Sequence, residues 1–312
     1  MGRHSASAWT EHDHPRDPDG KFAGSGAGRA GGTSRRGMPD AIAGADIPIR
    51  GGDEIALDSH LDGSITIATP KGSVRLPEES VSDLRYYLGD LSLEGRDAGE
   101  EAWIKRTELD ADGRPRSTLA ALIRKDGEGK YSLRLAQGDA PSAAELRDAP
   151  ALQLNGKDLS SIDNALTRMK ASSRVDTGNG DLDVFLTDDK KFSFRHLGDD
   201  GHPVETKFDA KSFARLNHAI DVVIDGFDEN DPTGPDEGVT QVDVKTNVGK
   251  VRVELTGTWQ GTSLGDRLKI TPVQGDAWGI YVDGTQQQSF ADAVSKISDA
   301  GEALEFYDPY AY

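Results

Sequence analysis

Hydrophobic positions along the chain fall into a cassette that recurs four times: a strand end, a turn, then one amphipathic helix. The strand-end residues are Leu76, Leu154, Phe208 and Val282. Five residues later come Val81, Leu159, Phe213 and, as the one break in the pattern, Gln287. Eight residues after the anchor stand Leu84, Ile162, Leu216 and Phe290; twelve after it Leu88, Leu166, Ile220 and Val294; fifteen after it Leu91, Met169, Val223 and Ile297. These offsets step by three, four and three, which traces one face of a helix with 3.6 residues per turn. The turn after each anchor begins with Pro77, Asn155, Asp209 or Asp283. Asn and Asp suit a helix entry because their side chains accept hydrogen bonds from its unpaired backbone donors.

Alternating apolar residues predict the strands. Three runs precede the first helix (Glu54–Asp58, Ser64–Thr69, Ser73–Leu76) and three precede the third (Leu182–Leu186, Phe192–His196, Val204–Phe208). Four precede the second helix (Ala102–Glu108, Thr118–Arg124, Tyr131–Ala136, Leu152–Leu154) and four the last (Val242–Thr246, Val251–Thr256, Arg267–Thr271, Gly279–Val282). Anchor-to-anchor gaps of 78, 54 and 74 residues point to a duplicated pair rather than four equal units. The expectation is an α+β fold, internally duplicated, in which each half combines antiparallel strands with two packed helices. Alternation of this kind fits sheets with one covered and one solvated side. The expected boundaries are an extended or disordered N-terminal arm over 1–52, a first half over 53–172, a second over 173–304, and an aromatic tail over 305–312.

Composition narrows the function. The chain of 312 residues carries a net charge of −18; the first fifty residues, with seven Arg/Lys and six Asp/Glu, are near +1, and the remainder is near −19. So acidic a body repels phosphates, which argues against nucleic acid and anionic membrane as partners. With no cysteine, disulfides, thiolate catalysis and Cys-ligated zinc are excluded. No apolar run is long enough to span a bilayer and no apolar signal core follows the N-terminus, so the expectation is a soluble protein made, and kept or assembled, in the cytoplasm.

Residues 1–52 lack any apolar period, and Gly24–Gly32 is rich in Gly, Ala and Ser. Such a segment buries too little to offset its ordering entropy unless a partner holds it. Within it stand Trp9 and the string His14-Pro15-Arg16-Asp17-Pro18-Asp19-Gly20-Lys21-Phe22-Ala23. That string resembles the R-D-x-x-G-[RK]-F-A tag at the ends of many proteins encoded in the head-assembly region of tailed phages, notably those infecting actinobacteria. Arg16, Asp17, Gly20, Lys21, Phe22 and Ala23 carry the resemblance, about ten residues of the chain; the duplicated body matches no family we can name. The tag occurs on portal-associated, capsid-associated and protease-like head proteins, so it implies a virion setting and not one activity. A flexible leader is the alternative.

Four aromatics crowd the last seven residues, Phe306, Tyr307, Tyr310 and Tyr312. They either fold back on their own sheet or dock on a neighbour, since Tyr offers large contact area at low entropic cost. Other motifs fail their context. Gly26–Gly31 spells a dinucleotide fingerprint with no strand before it or helix after it. Gly261–Gly265 spells a nucleophile elbow, but no His follows Ser263 in the chain. None of the seven His forms a helical pair; His12 and His14 are a weak metal pair, and His218 reads as a helix flank. The acidic loop Asp225–Gly238 lacks the spacing that wraps calcium and reads as solvated linker.

Nothing assembles a nucleophile, base and oxyanion site, so no catalytic residue, metal or cofactor is assigned. The expectation is a non-enzymatic virion protein, a capsid-associated minor or decoration protein. It would contact capsid or other virion proteins, or copies of itself, through Trp9, Arg16, Asp17, Gly20, Lys21, Phe22, Tyr307, Tyr310 and Tyr312. The alternative is an acidic binding or regulatory module that recognises a basic protein partner. A third option, an enzyme using scattered carboxylates, requires a deep pocket with strongly perturbed titratable groups.

Overall fold

A computed structural model describes residues 38–50, 52–92, 96–109, 114–136, 141–198, 200–225, 241–256, 267–275 and 278–309. Two compact units result, the first built from Ala43–Lys170 and the second from Ala171 onward together with the segment up to Ile42. The class is mixed α+β: four antiparallel sheets of four strands each, and five α-helices among the described residues.

In the first unit, β1 (Gly44–Pro48), β2 (Glu54–Ser59), β3 (Ile65–Thr69) and β4 (Gly72–Leu76) pair in chain order and lead into α1 (Glu78–Ser92). The second sheet is β5 (Glu101–Leu109), β6 (Pro115–Gly127), β7 (Lys130–Leu135) and β8 (Leu152–Asn155), with α2 (Ala143–Asp148) inserted before β8 and α3 (Gly156–Ala171) after it. The second unit repeats the order. Its strands β9 (Ser173–Asp176), β10 (Asp181–Leu186), β11 (Phe192–Leu197) and β12 (Pro203–Phe208) precede α4 (Ala210–Asp225). Then β13 (Gln241–Thr246), β14 (Gly249–Thr256), β15 (Arg267–Pro272) and β16 (Ile280–Asp283) precede a 3-10 turn, Gly284–Gln286, and α5 (Gln287–Ala303).

Every anchor and every helix position picked out by the 3.6-residue pattern is buried, from Leu76 and Val81 through Val294 and Ile297; Gln287 is half-buried at the start of its helix. Two of the turn residues cap their helices. Asn155 Oδ1 accepts from the Lys157 and Asp158 amides at 2.8 and 3.1 Å, and Asp209 Oδ1 accepts from the Ser212 amide at 2.7 Å. Asp283 makes no such bond; the 3-10 turn enters α5 instead.

Three expectations need correction. Each three-strand run has a fourth strand in front of it, β1 and β9, of five and four residues. β1 lies within the stretch expected to be arm, and β9 at the very start of the expected second half. β1 pairs with β2 and β9 with β10, and β1 does bury alternate residues, Ala45 and Ile47. The first unit also holds three helices, because Ser142 and Glu145 form a reciprocal cap that starts the short α2. Finally, β10 is not solvated on one side: Leu182 through Leu186 are all buried. Leu182, Val184 and Leu186 join the unit's apolar core, while the alternate residues Asp183 and Phe185 lie beneath other cover.

In this second unit α4 packs against β13 and β14 of the following sheet, and α5 against β9 and β10 of the preceding one. Both helices and both sheets therefore contribute to one core, with Phe192, Phe194, Phe208, Phe213 and Phe290 at its centre.

Candidate functional site

The cover over Asp183 is a row of charges set by strand register. Asp183 on β10 pairs directly with Arg174 on β9 and with Arg195 on β11. Arg174 Nε donates to Asp183 Oδ1 at 2.5 Å, and Arg195 Nη2 donates to Oδ2 at 2.6 Å. Exposure is 0% for the Asp183 side chain, 5% for Arg174 and 13% for Arg195, so two guanidiniums and one carboxylate share a water-poor site with one positive charge in excess. Arg195 also lies over the Phe185 ring at 5.0 Å.

The same two arginines grip a strap, residues 38–42. Arg174 Nη2 donates to the Pro39 carbonyl at 2.6 Å; Arg195 Nη2 donates to the Ile42 carbonyl at 2.6 Å and to that of Ala41 at 3.2 Å. Met38 and Ile42 are buried at the two ends of the strap. Recognition of main-chain carbonyls holds the backbone whatever side chains it carries. The strap leads directly upstream into the arm.

The described residues of this unit form concavities. A cleft of about 610 Å³ is lined by Asn179, Asp181, His196, Trp278, Tyr281 and neighbouring residues, a mix of aromatic walls and a few polar groups. Its rim is fastened by Asn179, whose Nδ2 donates to the Tyr281 carbonyl at 3.3 Å, and by the Asp283 amide donating to the Thr177 carbonyl at 2.9 Å. Gly178 sits there with φ +80°, and an added Cβ would fall 2.1 Å from Asp283 Oδ2, so only glycine serves at that position. A second, shallower groove of about 420 Å³ runs between β9 and α5.

Of the residues singled out in the sequence, Trp9, Arg16, Asp17, Gly20, Lys21, Phe22, Tyr310 and Tyr312 lie outside the described residues, as do Gly26–Gly31, Ser263, His12, His14 and residues 226–238 of the acidic loop. Tyr307 is placed in the core rather than at the surface: it is 6% exposed, its ring 4.9 Å from Phe192 and 5.4 Å from Phe213. Burial pushes its hydroxyl above the ordinary phenol pKa. His218 is exposed on α4. Among the described residues no three His, Asp or Glu gather as a metal site, and no helix is long and apolar enough to cross a membrane.

The charged row was missed in the sequence because Arg and Asp at alternate strand positions read as solvated. One signal was available. A two-residue turn at Gly178-Asn179 between β9 and β10 sets Arg174 opposite Asp183.

No protein-family model and no curated protein matches the chain. Among solved structures, the chain is weakly similar to the crystal structure of a putative DNA polymerase III beta subunit from Eubacterium rectale. Identity is 12% over 79% of this chain and 68% of that one, with a TM-score of 0.14, below the level that marks a shared fold.

Proposed function

We propose that this chain is a non-enzymatic phage virion protein, a capsid-associated minor or decoration component, that docks through its N-terminal arm. The observation that carries this reading is the strap. An arm that fastens a body to a particle has to pass its load to that body, and residues 38–42 are fixed to the sheet through backbone carbonyls by two arginines whose side chains are 5% and 13% exposed. Further upstream, beyond residues 23–37, stand the tag residues Arg16, Asp17, Gly20, Lys21 and Phe22, with Trp9 before them. An extended segment with such anchors buries contacts over a long path, while an acidic body adds a modest interface and stays soluble. Capsid or other virion proteins are the partners on this view, with the virion as the location.

We also propose that the two units descend from one ancestral pair of sheets and helices. The fourfold recurrence of buried anchors and helix positions supports it, as does the matching order of four strands and a helix in all four sheets.

The test is removal of residues 1–37, with occupancy in assembled particles as the readout. Loss of incorporation by a variant whose melting temperature is unchanged supports arm docking; full occupancy refutes it. A second reading, an acidic module for a basic protein, draws on α1, whose outer face presents Glu78, Glu79 and Asp83 beside Tyr86 at 66% exposure. That reading requires partner binding that survives the deletion and falls steeply with salt.

A further inference from the structure

Asn-Gly occurs twice in the chain, at Asn155-Gly156 and at Asn179-Gly180. The dipeptide is a labile setting for asparagine, because glycine has no Cβ to hinder attack of its amide nitrogen on the preceding side chain. The fold treats the two copies differently. Asn155 is half-buried at the entry of α3, where its Oδ1 accepts from two helix amides at 2.8 and 3.1 Å and its own amide donates to Asp158 Oδ2 at 2.7 Å. Asn179 is exposed in the turn between β9 and β10. Its carboxamide is held by two long bonds, Nδ2 donating to the Tyr281 carbonyl and to Asp283 Oδ1, each at 3.3 Å. Gly180 is fixed by the turn itself, since its φ of +145° is backbone that residues with a Cβ rarely adopt.

We propose that Asn179 is a site of spontaneous deamidation, and that the modified residue unfastens the rim of the cleft lined by His196, Trp278 and Tyr281. The Gly180 amide nitrogen gives up its proton, attacks Asn179 Cγ and closes a succinimide ring. The bond from Cγ to Nδ2 breaks, and Nδ2 leaves as ammonia, carrying one proton in place of the one Gly180 lost. Water then opens the ring. Attack at Cγ gives aspartate; attack at the backbone carbonyl gives isoaspartate, whose main chain runs through Cβ and Cγ.

The consequence follows from which atoms donate. Nδ2 is the donor in both contacts with β16, and the carboxylate that replaces the carboxamide can only accept. It faces the Tyr281 carbonyl and the Asp283 carboxylate, so attraction becomes repulsion, offset in part by Arg267, whose Nε donates to Asp283 Oδ1 at 2.9 Å. Isoaspartate also inserts one further main-chain atom between Thr177 and Gly180, where the Thr177 amide and hydroxyl both donate to the Gly180 carbonyl at 2.9 Å. The neighbouring clasp, the Asp283 amide on the Thr177 carbonyl at 2.9 Å, loosens with the turn. Because the ammonia is lost, the change is irreversible and accumulates with the age of the molecule. This inference does not depend on the virion reading.

The experiment incubates the full chain at mildly alkaline pH and follows both dipeptides by peptide-mapping mass spectrometry, with enzymatic methylation to count isoaspartate. Rates are normalised to those of the same chain in urea, where neither dipeptide has structural protection. In the folded chain Asn179 should be lost about tenfold faster than Asn155, whose helix cap has to break first. The second arm is hydrogen exchange of the Asn179→Asp variant, which carries the product carboxylate from the start. Its Asp283 amide should exchange about tenfold faster than in the parent chain, while the Val184 amide within β10 keeps its rate. Loss of Asn179 at or below the Asn155 rate in the folded chain would overturn the assignment of the site. An unchanged Asp283 amide, or equal acceleration at Val184, would overturn the local unfastening.

Discussion

Arg85 and Asp163 each stand nine residues beyond the buried strand-end residue in front of their helix, Leu76 and Leu154, and they meet: Arg85 Nε donates to Asp163 Oδ1 at 2.9 Å. Lys170 Nζ, near the end of α3, reaches Ser82 Oγ near the start of α1 at 2.9 Å, as antiparallel helices require. Both partners of the Arg85–Asp163 pair are about one-third exposed, at 34% and 35%. A double-mutant cycle with Arg85→Ala and Asp163→Ala should return a coupling of about 0.2–1 kcal/mol, shrinking with added salt. The exchange Arg85→Asp with Asp163→Arg should recover most of it, since the opposite charges still face each other. A coupling of zero at low salt would show that the contact is incidental.

The charged row over β10 carries far more. Asp183→Asn removes the carboxylate between two largely enclosed guanidiniums and leaves their charge without that compensation. Breaking a buried pair in this way costs about 3–5 kcal/mol, which urea denaturation will measure. The strap should loosen with it, because Arg174 and Arg195 are oriented by the same carboxylate. Limited proteolysis should then cut within residues 38–42 faster than in the parent protein. Unchanged cleavage would mean that the strap is held by Met38 and Ile42 alone.

Glycines test the packing from the other direction. A Cβ added at Gly301 would come within 2.9 Å of Phe192 Cζ and 3.0 Å of Tyr307 Cβ, inside a core where neither ring has room to yield. Gly301→Ala should therefore cost about 1–3 kcal/mol. Gly89, on the exposed side of α1, meets nothing within 4 Å, so Gly89→Ala should stabilise by about 0.4–1 kcal/mol through helix propensity. Thermal melts of the two variants should move in opposite directions.

Asp62 provides a pH test. Its carboxylate accepts from the Ser64 hydroxyl at 2.6 Å and from Arg75 at 3.0 Å, and these bonds, the Ser64 hydroxyl first, hold its pKa at about 2, below the ordinary 3.8. A carboxyl whose folded pKa is depressed contributes stability at pH values above its unfolded pKa. That contribution fades as pH falls from about 4 toward 2. A carboxyl-detected NMR titration should place the Asp62 midpoint near 2, and Ser64→Ala should raise it more than Arg75→Gln does. An equal or reversed order would shift the cause from hydrogen bonding to charge.

The helices and most strands were legible in the sequence because their signals are local. Burying one face of a helix forces apolar residues to recur at three and four, and a strand that buries one face alternates; both periods survive without knowledge of partners. The caps at Asn155 and Asp209 belong to the same class, for each side chain bonds amides only two or three residues away. What the tertiary structure decided depends on residues distant in the chain. Arg174 and the Pro39 carbonyl it binds are 135 positions apart, and Arg195 and the Ile42 carbonyl 153. Tyr307 is by sequence a tail aromatic that either folds back or docks on a neighbour, and structure makes it a core residue, where the rings of Phe192 and Phe213 meet it over Gly301. Asp183 changes meaning in the same way. A charge on a strand reads as solvent-facing until register sets a cation on either side of it and a strap seals them in, and that closure is a property of the folded unit alone.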